Sequence, residues 1–166
     1  MNPTHDPTMD AITSAVTLGR EGRPGDARDA LLAVWAALGP QGDPLHRCTL
    51  AHYLADLYDD AAEALTWDIR ALDAADSLSD ARARNYDGSL RVAAFYPSLH
   101  LNLADDYRRL GSFDAAQREI DAARVRLHTL ADDGYGATIR TAVDEVESAI
   151  RERRTEPRAS APTGGR

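Results

Sequence analysis

The sequence predicts an all-α fold built from consecutive helix pairs. Alanine and leucine recur at helical spacing along almost the whole chain of 166 residues, a pattern that indicates amphipathic helices. Strict alternation of apolar and polar residues does not extend beyond a few positions, so strands are not expected. Capping residues followed by proline mark several helix starts and indicate where the pairs begin.

Proline marks three of the predicted helix starts. Aspartate precedes it at Asp6-Pro7 and at Asp43-Pro44. In both places the carboxylate can accept a hydrogen bond from an N–H group of the first turn, while proline has no N–H to leave unpaired. The third start, at Pro97, lacks an acidic cap. The interval between the two Asp-Pro pairs is close to the length of one helical repeat, which suggests internal repeats.

Seven helices are expected in total. Their approximate ranges are 7–20, 26–38, 44–58, 61–82, 97–110, 113–130 and 137–153. Glycine separates several of them, for example at Gly25, Gly39 and Gly111, because glycine is unfavourable inside a helix and frequent just beyond its end. The connections are short, so each helix is expected to pack against the next.

Three segments are expected to lie outside these helices. Residues 1–6 are predicted to be a flexible N-terminus. The stretch 85–95 is predicted to be irregular, with Asp87-Gly88 as a turn. The segment 154–166 is rich in proline, glycine and serine, and this composition predicts a disordered tail.

Composition and charge narrow the class of function. The formal net charge is −8 and the isoelectric point about 5.0, which disfavours binding to nucleic acid or to an anionic membrane. All 19 basic residues are arginine, so a catalytic lysine is excluded, and this usage is typical of a GC-rich bacterial genome. Cys48 is the only cysteine, which excludes an internal disulfide and favours a reducing compartment. Neither a signal peptide nor a long apolar stretch is recognisable, so a cytoplasmic location is expected.

The segment 97–127 carries the pattern of a helix–turn–helix repeat. On its first helix Leu103-Ala104 is followed by Tyr107, and Gly111 lies at the turn. The apolar face of its second helix is formed by Ala116, Ile120 and Ala123. This pattern resembles the tetratricopeptide repeat (TPR), in which small residues let two helices pack closely.

Two further segments resemble the same repeat less closely. Leu54-Ala55 and Tyr58 reproduce the first-helix residues. The resemblance implies repeats at about 7–40, 43–82 and 96–130, followed by an amphipathic capping helix at 137–153. The chain is therefore expected to be a short right-handed α-solenoid closed at its C-terminal end.

The resemblance also implies a binding surface. In TPR arrays the first helix of each pair lines a concave groove that holds a peptide or a partner helix. The candidate partner-binding residues on those helices are His52, Tyr53, Asp56, Asp59, Leu101, Asn102, Asp105, Arg108 and Arg109. Aspartates dominate this set, so a partner segment of basic or mixed charge is expected, with Tyr53 and Leu101 as apolar anchors. An acidic helix face is also commonly only solvated surface.

The leading hypothesis is accordingly a non-catalytic adaptor or scaffold that binds another protein. A homodimer formed through the imperfect first repeat is an alternative. A metal-binding protein or enzyme that uses His52, Asp56 and His100 is a weaker alternative, because His52 and Asp56 lie one helical turn apart, with Cys48 nearby. Because a closed metal site needs about four ligands, and a nucleophilic pair needs an oxyanion site, no metal, cofactor or catalytic residue is predicted.

Overall fold

The computed structural model describes residues 5–87 and 91–159. Within these two ranges the regular secondary structure is helical and no strand occurs, which confirms the predicted all-α class. The α-helices are α1 (Pro7–Arg20), α2 (Pro24–Leu38), α3 (Pro44–Ala55), α4 (Ala61–Asp76), α5 (Asp80–Tyr86), α6 (Tyr96–Arg109), α7 (Phe113–Arg124) and α8 (Gly134–Arg151). Short 3₁₀ turns lie at Val92–Ala94 and Leu127–Thr129.

The described residues divide into two compact units. Unit 1 extends to Val92, and unit 2 begins at Ala93. Three sequence-based expectations lie partly outside the described residues. These are the flexible N-terminus, of which 1–4 is not described, the Asp87-Gly88 turn, which runs into 88–90, and the tail, of which 160–166 is not described. Across the part of the chain that is described, no helix combines the length and apolar content needed to cross a membrane.

Unit 1 contains two packed helix pairs, α1 with α2 and α3 with α4, and both α1 and α2 also contact α3. Its fully buried large side chains are Ile12, Leu31, Leu45, Leu50 and Leu54. Two predicted N-caps are present: Asp6 accepts a hydrogen bond from the Met9 amide, and Asp43 accepts one from the Leu45 amide. The sequence-predicted starts of α1 and α3 are therefore confirmed.

The predicted single helix over 61–82 is wrong, because the chain forms two helices there. Helix α4 ends at Asp76, and α5 begins at Asp80. The side chain of Ser79 accepts a hydrogen bond from the Arg82 amide and so caps α5. Serine competes for backbone hydrogen bonds inside helices and is favoured at caps, which explains the interruption.

Unit 2 consists of α6, α7 and α8, each of which packs against the other two. Its core cluster contains Leu101, Ala104, Ala116, Ile120, Ala123, Leu130, Ile139, Ala142, Val143, Val146 and Ile150. Helix α7 ends at Arg124, earlier than the predicted limit of 130. Helix α8 begins at Gly134, earlier than predicted, because Asp133 caps it by accepting a hydrogen bond from the Gly136 amide.

The segment after α8 also differs from the expectation. Disorder was predicted from 154 onward, but Arg154 and Glu156 each present a carbonyl oxygen to Arg108. Arg158 contacts Asp105. We call residues 154–158 the return segment, because it runs back along α6. Its polar composition is compatible with order here because its backbone, rather than its side chains, makes the main contacts.

Candidate functional site

The predicted binding residues of unit 1 lie at the end of α3 and in the turn after it. His52 and Tyr53 are half-buried, with ring centroids 6.0 Å apart. Asp56 is the C-cap residue of α3 and is half-buried, whereas Asp59 is exposed. Of these residues, the structure brings His52 and Tyr53 into ring contact.

Asp68 is a residue of this region that sequence reasoning did not assign to the site. It lies on α4 at a position where a large apolar side chain is expected, and it is 2% exposed. Its Oδ1 is 3.8 Å from Nδ1 of His52. A buried carboxylate requires a partner, and the imidazole on the neighbouring helix is one. The polar residue at an apolar position was the sequence signal for this pair.

The carboxylates around His52 favour its charged form. Burial alone would lower the pKa of His52, but the pairing with Asp68 and the negative charge of Asp56 raise it above its usual value. In the described ranges, no group of three His, Cys, Asp or Glu side chains is placed to hold a metal ion.

Cys48 is buried in unit 1. Burial raises the pKa of the Cys48 thiol to about 12, and the charge of Asp68 adds to the effect. Since the thiolate is the reactive form of cysteine, the environment of Cys48 opposes nucleophilic chemistry. The position suits a small apolar side chain that fills space between helices.

A second polar cluster in unit 1 joins the caps of α1 and α3 to α5. Nε2 of His46 is 2.8 Å from Oδ2 of Asp6. Nε of Arg82 donates to Oδ2 of Asp43 at 2.5 Å, and its Nη2 lies 3.4 Å from Asp6. Beside the cluster is an open cavity of about 390 Å³ lined by His5, Asp6, Pro7, Thr8, His46, Arg82, Asn85 and Tyr86.

This cluster is explained by its structural role. Although desolvation opposes ionisation, the contacts with His46 and Arg82 hold the pKa values of Asp6 and Asp43 below their usual range. The acidic caps pair with His46 and Arg82, and these contacts tie three helix ends together. The arrangement therefore stabilises unit 1.

In unit 2, the predicted site residues of α6 are more buried than an open groove allows. Leu101 is 2% exposed and belongs to the core cluster. A partner cannot contact its side chain, so Leu101 does not serve as the predicted anchor. Asp105 is 8% exposed and Arg108 is 0% exposed. Asn102 and Arg109 are half-buried. Helix periodicity explains Leu101, because that position faces α7 and α8.

Asp105 and Arg108 form an ion pair one turn apart on α6. Nε of Arg108 donates to Oδ1 of Asp105 at 3.0 Å, and Nη2 donates to the same oxygen at 2.7 Å. A guanidinium group has five N–H donors in a fixed plane, so this pairing leaves donors of Arg108 directed elsewhere. We call this pair the Asp105–Arg108 site.

The remaining donors of Arg108 bind the return segment. Nη1 donates to the carbonyl oxygen of Arg154 at 2.6 Å, and Nη2 donates to that of Glu156 at 2.9 Å. Nε of Arg158 lies 3.4 Å from Oδ2 of Asp105, and its Nη1 lies 3.4 Å from a carboxylate oxygen of Glu145. The Asp105–Arg108 site thus holds a non-helical peptide segment through two backbone carbonyls and one basic side chain.

A sharp turn after α8 directs the chain back to this site. The Arg153 amide bonds to the Ile150 carbonyl and the Arg154 amide to the Ala149 carbonyl, which is a Schellman motif. Arg153 has φ 53°, in the left-handed region, whereas Gly111 has φ 76° at the corresponding position after α6. The Arg153 guanidinium lies 4.5 Å from the ring centroid of Phe113, and this cation–π contact offsets part of the backbone strain.

Comparison with known proteins gives no match: no protein-family model, no curated protein and no solved structure matches the chain. The resemblance to tetratricopeptide repeats therefore depends on the sequence pattern described above.

Proposed function

We propose that this chain is a non-catalytic protein-interaction module whose Asp105–Arg108 site binds a segment of a partner protein. One observation carries the proposal: a fully buried arginine on α6 donates to two carbonyl oxygens of a non-helical segment. Backbone carbonyls are common to every peptide, so this geometry suits peptide recognition in general. The segment bound in this structure is the chain's own.

The charges at the site define the kind of partner. Arg108 binds the carbonyls of residues two positions apart, Arg154 and Glu156. Asp105 and Glu145 contact the guanidinium of Arg158, two positions further along. A partner segment of matching chemistry is extended or irregular and carries an arginine or lysine two residues after the second bound carbonyl. The net charge of −8 accelerates the approach of such a basic segment.

The TPR resemblance supports the same proposal independently. Helix α6 is the first helix of the best-matched repeat, and the first helix of each pair is the peptide-binding element in that family. In the proposed architecture α8 is the capping helix of the last repeat, and its residues Ile139 and Val146 pack into the core cluster with α6 and α7. The non-catalytic assignment is supported by the environment of Cys48, whose raised pKa opposes a nucleophilic role.

Affinity capture from extract, followed by cross-linking and mass spectrometry, tests the proposal. The baits are wild type, Asp105→Asn and the matched control Asp144→Asn, whose exposed carboxylate pairs with Arg124 on the neighbouring helix. The expected partner binds wild type and the control, is weakened by Asp105→Asn, and cross-links through a basic segment to α6. A partner that binds all three baits equally and cross-links elsewhere contradicts the proposed site.

The same samples test the homodimer alternative. Light scattering after size exclusion measures the mass of each bait over a range of concentrations. A mass near twice the 18.0 kDa of one chain, with no other protein captured, would replace the adaptor proposal by self-association.

A further inference from the structure

We propose that the return segment is an internal occupant of the Asp105–Arg108 site, so that a partner segment binds only by displacing it. This inference rests on the proposed function of the site and adds its regulation. The structure supplies three arguments: the segment contributes nothing to the core, the turn that delivers it is strained, and the Arg108 donors that it satisfies are open to another peptide once it leaves.

The return segment can leave without opening unit 2. Its residues are exposed apart from Arg158, which is half-buried. The core cluster extends along α8 as far as Ile150 and includes no residue of the segment. The return segment is held by hydrogen bonds with Arg108 and an ion pair with Asp105. Detachment therefore exposes polar groups of the segment to water and leaves the apolar core closed.

Backbone strain in the turn before the return segment disfavours the docked position of the segment. Arg153 adopts φ 53°, a backbone conformation that is unfavourable for residues with a Cβ atom. The equivalent turns after α1 and α6 use Gly22 and Gly111, with φ 82° and 76°. Strain of this kind persists where surrounding contacts over-determine it. Here the contacts are those of Arg153 with Phe113 and of Arg108 with the segment.

Two N–H donors of Arg108 lose their partners when the return segment leaves. The Arg108 side chain is 1% exposed, and two of its N–H groups are bound to segment carbonyls. A buried guanidinium with unsatisfied donors is unfavourable. When the return segment detaches, those donors must bind water or another peptide. A partner with carbonyls at the same spacing and a basic residue for Asp105 satisfies them in the same way.

A binding experiment on the full chain tests the inference. The probe is a fluorescent peptide with the sequence of residues 152–159, and its binding is followed by anisotropy. The release variant is Arg158→Asp, which places a negative charge opposite Asp105 and Glu145 and is expected to expel the segment by repulsion. The matched control is Arg20→Asp, the same charge change at an exposed position of α1.

The expected result is that Arg158→Asp binds the probe at least about tenfold more tightly than wild type and the control, because an occupied site reduces apparent affinity by its free fraction. Arg158→Ala, a milder release variant, is expected to fall between them. Thermal melting, monitored by circular dichroism, verifies that each variant is folded. A second probe, in which glutamate replaces the arginine equivalent to Arg158, is expected to bind weakly to every chain.

The outcomes separate the two proposals. Equal affinity of the first probe for wild type and both release variants overturns internal occupancy and leaves the peptide site intact. Absence of binding to all four chains overturns both internal occupancy and the Asp105–Arg108 site as a peptide site. Tighter binding to Arg20→Asp than to wild type, equal to that of Arg158→Asp, attributes the effect to net charge and also overturns internal occupancy.

Discussion

Replacement of Arg108 by methionine tests the energetic basis of the Asp105–Arg108 site. The substitution keeps an unbranched side chain but removes four hydrogen bonds, two to Asp105 and two to the carbonyls of Arg154 and Glu156. The two carbonyls lie on an exposed segment and regain hydrogen bonds with water. Asp105, which is 8% exposed, is left as a carboxylate without its main partner.

The unpaired carboxylate of Asp105 determines how much the free energy of unfolding falls in Arg108→Met. Removing one member of a buried ion pair typically destabilises a protein by about 3–5 kcal/mol. We expect Arg108→Met to fall in the lower part of this range, at about 3 kcal/mol, because Arg158 remains 3.4 Å from Asp105. The double variant Asp105→Leu, Arg108→Met removes both charges, so it is expected to recover most of this loss.

Urea unfolding measures these differences with two probes. Far-UV circular dichroism follows all helices, while tryptophan fluorescence follows unit 1, because both tryptophans, Trp35 and Trp67, lie there. The ellipticity transition is expected to shift for Arg108→Met, and the matched control is Arg109→Met, the adjacent half-buried arginine on α6. A loss of less than about 1 kcal/mol for Arg108→Met, as for an exposed pair, refutes the reasoning. A double variant less stable than the single one also refutes it.

Three further predictions concern the turn, the histidine and the cysteine. Arg153→Ala loses the contact with Phe113 but keeps the left-handed strain, so it is expected to be about 1 kcal/mol less stable than Arg153→Gly in urea; equal midpoints contradict the strain. The raised pKa of His52 means that its pairing with Asp68 stabilises the folded chain fully below pH 6.5 and progressively less as pH rises through the folded pKa. The stability difference between wild type and His52→Gln is therefore expected to shrink from pH 6 to 8, and a growing difference contradicts the pairing. With its pKa raised to about 12, Cys48 is expected to react with iodoacetamide at pH 8 at least about a hundredfold more slowly in the native chain than in urea; similar rates contradict its burial.

Local signals in the sequence were sufficient for much of the fold. Asp6-Pro7 and Asp43-Pro44 place a hydrogen-bond acceptor and a residue without an N–H group at the starts of α1 and α3, and both starts are where the sequence predicts them. Ser79 carried a similar signal that was missed, because the alanine-rich pattern around it continued at helical spacing. A short capping side chain can end one helix and start another inside an otherwise favourable sequence.

The candidate site could be predicted only in part. The first-helix pattern predicts Asp105 and Arg108 as partner-binding residues, and the structure shows that the two form an ion pair. Leu101 was placed on the same surface by resemblance, but its side chain belongs to the core. The return segment could not be predicted from its own residues, since Arg108 binds its backbone carbonyls and these are present in any sequence.

In the proposed function, recognition through backbone carbonyls separates affinity from selectivity at the Asp105–Arg108 site. The two bonds from Arg108 form with any segment that can adopt the right backbone spacing, so they cannot distinguish one peptide from another. Selectivity must then come from Asp105 and Glu145, which contact the side chain of Arg158 in the bound segment. Both contacts are longer than the Arg108 bonds, and the one with Glu145 is also exposed, so that contact is weak and sensitive to salt. A segment of ordinary composition, tethered a few residues away on α8, can therefore compete with a better-matched partner, because tethering raises its effective concentration.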